Sequence, residues 1–174
     1  AGIDIKTVAG RVGHSQTSTT TDIYSHFLQS SDKKASNILD SIFGKNDKIY
    51  QTQYSLGNGF ISDAILFAPE PLGTICIDSK FPLENYRRMI DKSLSNSARA
   101  EAEKLFKTDV KKHIDAISSK YIIPGVTSDQ AIMFLPAEAV FAEINAYHQD
   151  IIDYAYKKRV WITSQTTLIS TLTV

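Results

Sequence analysis

Apolar positions change period several times along this chain, and each change marks an element. Over residues 36–44, Ile38, Leu39, Ile42 and Phe43 recur at helical spacing, and Gly44 is placed to stop the helix. Three short runs follow at 50–56, 60–67 and 73–78, the last with Ile75, Cys76 and Ile77 as its apolar centre. Gly57-Asn58-Gly59 separates the first two, and Pro69-Glu70-Pro71-Leu72-Gly73 the last two. That punctuation predicts a three-stranded meander. Pro82 can open a helix that reaches about residue 93, with Leu83, Tyr86 and Ile90 on one side. After a break at 93–97, Ala102, Leu105, Phe106, Val110, Ile114 and Ile117 form one stripe of an amphipathic helix over 98–121. Pro124-Gly125 is a turn. A buried strand is expected at 131–135, a helix at 137–156, a strand at 160–163 and a last helix from 167.

The order α-β-β-β-α-α-β-α-β-α predicts an α/β fold with one five-stranded sheet, a hairpin front half and a crossover back half. Residues 1–35 differ. They are rich in Ser and Thr, and their apolar residues, such as Ile3, Ile5, Val8, Ile23 and Phe27, are too few for a separate core. They read as a small helical appendage to a domain over 36–174. The chain begins without Met and ends without a helix stop signal, so it reads as cut from something longer.

Composition narrows the function classes. The 174 residues carry 19 Lys+Arg and 19 Asp+Glu, a formal net charge of zero. Bulk-charge binding of DNA is excluded, and any nucleic-acid contact needs a local patch. With 43% hydrophobic and 22% charged residues the chain is an ordinary globular one. Its one cysteine, Cys76, cannot form an internal disulfide, which fits a reducing, cytoplasmic setting. No apolar run is long enough to span a bilayer, and the first residues do not read as a signal peptide.

No phosphate-binding loop, dinucleotide fingerprint, zinc-peptidase helix or cysteine pair occurs. One constellation remains. Asp78 ends the third strand, Lys80 stands two residues on, and Asp63 lies in the strand before. Strand geometry lets Asp78 and Lys80 share a face, and a hairpin can bring Asp63 beside Asp78. Two carboxylates suit Mg²⁺, and a nearby Lys can orient water. The same residues also read as ordinary strand-end charges in solvent. His113 reads as a packed core histidine, His148 as near solvent, and Tyr147 and Trp161 as core. Lys104, Lys107, Lys111 and Lys112 read as a basic helix face.

Ile77-Asp78-Ser79-Lys80-Phe81-Pro82-Leu83-Glu84-Asn85-Tyr86 resembles the signature of the RmuC family of DNA recombination proteins. So do Asp109-Val110-Lys111-Lys112-His113-Ile114, Ile117-Ser118-Ser119-Lys120-Tyr121, and the stretch from Met133 to Glu143. The resemblance implies a restriction-endonuclease-like, PD-(D/E)xK-type core with a mixed sheet flanked by helices. It also implies Asp63, Asp78 and Lys80 as catalytic residues, Asp63 and Asp78 as ligands of Mg²⁺, and DNA as partner. A non-catalytic DNA-structure-binding or interaction module, or a remnant of a DNA integrase, is the rival expectation. Two departures stand out. Ser62 replaces the Pro of the nuclease motif, and the region before the meander lacks the family's Gly-Glu pair. The long coiled coil and membrane anchor typical of the family have no counterpart in this sequence.

Residues 1–35 resemble instead the C-terminal end of a tyrosine recombinase or phage integrase. Val12-Gly13-His14-Ser15 and Thr21-Asp22-Ile23-Tyr24 carry the likeness. The resemblance implies His14 as the late histidine at the scissile phosphate and Tyr24 as the nucleophile. The Arg, Lys and His-x-x-Arg groups of that family match no segment of this chain, so the transferring phosphate would lack its cationic clamp.

Overall fold

The structure, a computed structural model, describes residue 40, residues 49–80 and residues 82–172. Asp40 is helical, and the rest of the expected 36–44 helix lies outside the described residues, as do His14 and Tyr24. The elements are β1 (Tyr50–Ser55), β2 (Ile61–Phe67), β3 (Thr74–Ser79), α1 (Leu83–Ile90), α2 (Asn96–Tyr121), β4 (Ala131–Phe134), α3 (Glu138–Tyr147), α4 (Gln149–Lys157), β5 (Val160–Thr163) and α5 (Gln165–Leu172).

All five strands join one sheet in the order β1-β2-β3-β4-β5. The first three are antiparallel, whereas β3, β4 and β5 run parallel. Gly57 and Gly59, at φ of 76° and 87°, supply the left-handed turn between β1 and β2. The Leu56 amide closes that hairpin on the Phe60 carbonyl at 3.1 Å.

Alternating side chains build two cores. Ile65, Cys76, Ala131, Met133 and Val160 face α1 to α4, where Met89, Phe106, Val110, Ile114, Ile117, Ile144 and Ile151 meet them. Ala64, Leu66, Ile77, Ile132 and Phe134 face the other way, toward Leu168 of α5. α2 begins at Asn96, two residues before the expected start, because the Ser95 hydroxyl caps it by accepting the Ala98 amide at 3.2 Å.

The sequence reading fails at the expected single helix over 137–156. It is two helices, parted at His148, where φ is −125° and ψ 56°. His148 is not near solvent: it is 2% exposed, with its ring 5.6 Å from that of Phe106. Tyr147 and Trp161 are not core, at 76% and 42% exposed. The broken helix turns Tyr147 outward while Ile144 and Ile151 stay inside. Trp161 lies on β5, the outer strand of the sheet, and faces solvent there.

Candidate active site

β3 is the middle strand, and its last residues carry the candidate chemistry. The β2–β3 pairs Ala64–Ile77 and Ile65–Cys76, continued by one step, set Asp63 opposite Asp78. Alternation then puts both carboxylates on the face of Ile65 and Cys76, the face covered by α2. Asp63 Oδ2 accepts the backbone N–H of Ser79 at 2.7 Å, which ties it to the end of β3.

Asp78 is only 3% exposed. Its Oδ1 accepts the Tyr121 hydroxyl at 2.8 Å, and its Oδ2 pairs with the Lys80 ammonium. Lys80 Nζ also lies 3.4 Å from the Ser79 carbonyl, and its side chain is 27% exposed. The Lys80 amide donates to the Phe134 carbonyl at 2.9 Å, so the strand remains hydrogen-bonded past Ser79. That continuation keeps Asp78 and Lys80 on one face.

The three sequence-derived residues therefore converge, but not in an exposed pocket at a sheet edge. They sit at the end of the central strand, beneath the C-terminal end of α2. Burying a carboxylate there demands partners, and Lys80 and Tyr121 supply them. The Tyr121 hydroxyl also lies 3.0 Å from the Ile61 carbonyl, so its single proton has two acceptors. Burial first, then the Asp78 carboxylate, raises the Tyr121 phenol well above its ordinary range.

Two further α2 residues belong to this neighbourhood. His113 is half-buried rather than core. Burial first, and the Lys80 charge second, lowers its imidazole below the ordinary range, while Asp109 and Asp78 pull the other way. Asp109 in turn accepts Asn85 Nδ2 at 2.7 Å, which links α2 to the helix that follows Lys80. Ser62, in place of the expected Pro, is fully buried, and its hydroxyl donates to the carbonyls of Ala64 and Ile77 at 2.7 and 3.1 Å.

The basic helix face is largely neutralised. Lys107 and Lys111 pair with Asp150 of α4 at 3.0 and 2.9 Å, and Lys104 lies 3.8 Å from Glu101.

Among the described residues no group of three or more His, Cys, Asp or Glu side chains is placed to hold a metal ion. The donor set at Asp63 and Asp78 is two hard carboxylates. That fits Mg²⁺, which usually takes one or two carboxylates and completes its shell with water and substrate phosphate. Asp78 Oδ2 is a buried oxygen whose partner among the described residues is the Lys80 ammonium.

Among the described residues no helix is long and apolar enough to cross a membrane. No solved structure matches the chain. A "DNA recombination protein RmuC homolog" of Xylella fastidiosa is 37% identical over 38% of this chain and 15% of its own length. Another protein of that description, from Pseudomonas aeruginosa, is 29% identical over 72% of this chain and 29% of its own length. The chain thus spans less than a third of the curated relatives it matches. The model of the RmuC family matches residues 33–174, and the chain belongs to that family.

Proposed function

We propose that this chain carries a Mg²⁺-dependent phosphodiester-hydrolysing site that acts on DNA, in a restriction-endonuclease-like core. The observation that carries the reading is the opposition of Asp63 and Asp78 across β2 and β3, with Lys80 against Asp78. A bound Mg²⁺ would supply charge neutralisation at the phosphate and a water of lowered pKa. The protein's own residues have distinct tasks. Tyr121 holds Asp78 Oδ1, which leaves Oδ2 as the liganding oxygen. Asp63 is fixed by the Ser79 amide. Lys80 is partly exposed and can leave Oδ2 for an incoming phosphate or water. A cytoplasmic setting is part of this reading, and the free Cys76 is in keeping with a reducing compartment.

One observation favours a second reading, a DNA-binding module without chemistry. Asp78 is buried, and both its oxygens are engaged. Labelled single-stranded and branched DNA, incubated with the chain in Mg²⁺, Mn²⁺ or EDTA, separates the two. Metal-dependent cleavage supports the hydrolytic site. Retained DNA affinity with no cleavage in either metal gives the second reading instead.

A further inference from the structure

A groove of about 590 Å³ lies at the other end of α2, between the end of α1, the first two turns of α2 and the last turn of α3. Arg99 in its wall and Tyr121 at the Asp78 site are separated by roughly 33 Å along the helix axis, at ~1.5 Å per residue. His148 lines the groove and is 2% exposed, yet among the described residues neither of its ring nitrogens has a hydrogen-bond partner. Glu143 Oε1 stands 3.5 Å from Nε2 and Glu103 Oε1 3.9 Å from Nδ1. Those carboxylates attract the ring without satisfying it. They lie on opposite nitrogens, so the three side chains do not converge on one metal ion.

The two ends of the groove differ in charge. Glu103, Glu143 and His148 form an acceptor-rich end. Lys92 and Arg99 stand by the first turn of α2, where the helix dipole adds positive potential. Arg99 Nε donates to the Met89 carbonyl at 2.9 Å, which anchors its guanidinium at the groove. Tyr147 also lines the groove and is 76% exposed. A ligand matching this lining has an N–H-rich edge, a flat apolar body and an anionic tail.

We propose that the groove binds one unpaired nucleotide. The amino edge of its base meets Glu103, Glu143 and His148, its ring lies against Tyr147, and its phosphate meets Lys92 and Arg99. Adenine, cytosine and guanine carry an exocyclic amine, whereas thymine offers only N3–H between two carbonyl oxygens that repel a carboxylate, so the acidic end discriminates against thymine. Carboxylate acceptors left without a donor on burial cost affinity. The groove is separate from the Asp63–Asp78 site and does not depend on the hydrolytic reading.

The test is calorimetric titration of the whole chain, in EDTA, with dCMP, dAMP, dTMP and deoxycytidine. dCMP and dAMP should bind at least about tenfold more tightly than dTMP, the factor expected for one hydrogen bond to a charged group. Deoxycytidine, without the phosphate, should bind more weakly than dCMP. Glu143→Gln should narrow the dCMP–dTMP gap, and Lys92→Ala should remove most of the benefit of the phosphate. Both alter side chains at the groove surface and should leave the melting temperature in place. A 5′-phosphorylated oligonucleotide that binds more tightly than dCMP makes a strand end the ligand, and equal binding makes it the free nucleotide. Absence of binding by every nucleotide overturns the proposal. So does dTMP binding as well as dCMP, or binding that ignores both substitutions.

Discussion

Replacing Tyr121 by Phe removes one oxygen from the centre of the candidate site and leaves the ring in place, so no large cavity opens. The lost hydroxyl donates to Asp78 Oδ1 at 2.8 Å, and Asp78 is 3% exposed, so water cannot take over. A hydrogen bond to a charged group contributes about 1.5–3 kcal/mol. The Ile61 carbonyl loses its contact as well. The expected destabilisation is therefore about 2 kcal/mol, or roughly 4–8 °C in melting temperature for a chain of this size. Urea unfolding at neutral pH should show a lower midpoint with an unchanged slope, because the exposed area does not change. Tyr156, 80% exposed, is the control. Its Phe variant should stay within about 0.5 kcal/mol of the parent. If Tyr121→Phe is as neutral as Tyr156→Phe, the hydroxyl does not hold Asp78 and the description of a buried, partnered carboxylate is wrong.

Alkaline pH should also weaken the fold. Burial is the main cause that raises the Cys76 thiol to about 11; the Asp78 charge adds to it and the Ser62 hydroxyl opposes it. The unfolded thiol ionises near its ordinary value while the folded one stays protonated, so this contribution is complete below about pH 9 and is lost as pH rises to 11, at a total of about 2–3 kcal/mol. The raised Tyr121 phenol has the same sign above pH 10. Urea midpoints from pH 8 to 11 should fall, and Cys76→Ala should flatten the first part of that fall; a parent profile flat to pH 11 would contradict the burial of both groups. Removing residues 1–35 should leave the melting temperature nearly unchanged, since the sequence offers few apolar side chains there to bury at ~25 cal/mol per Å². Tyr24 should form no phosphotyrosyl adduct on a suicide DNA substrate, and a trapped adduct would restore a recombinase role to that segment.

Much of the fold was legible because its signals are local. Gly57-Asn58-Gly59 and the Pro69–Gly73 stretch bound the strands, and strand alternation alone set Asp78 and Lys80 on one face. The neighbouring position of Asp63 followed from the hairpin, because a register slip of one would have turned it away. Burial was harder to read. Nothing local to Asp78 says that the end of a helix 43 residues later covers it. A trace existed, since Tyr121 continues the stripe of Val110, Ile114 and Ile117. His148 left a similar trace, standing four residues after Ile144 and three before Ile151, on the apolar side. Its polarity suggested solvent, whereas its spacing pointed inward, and the spacing was right. The neutralised Lys107 and Lys111 were invisible for the same reason as Asp78: their partner, Asp150, lies on another helix.

The central claim is that Asp63, Asp78 and Lys80 act together on a phosphodiester. Its most direct test is the cleavage rate of one labelled single-stranded DNA in Mg²⁺, measured side by side for the parent and Asp78→Asn. Asparagine keeps an oxygen for the Tyr121 hydroxyl and nearly the same volume, so the fold should survive, and DNA affinity should fall little because Lys and Arg make most phosphate contacts. The account predicts that the parent cleaves only with the metal and that Asp78→Asn cleaves no faster than the metal-free control. Equal rates for the two proteins would contradict it.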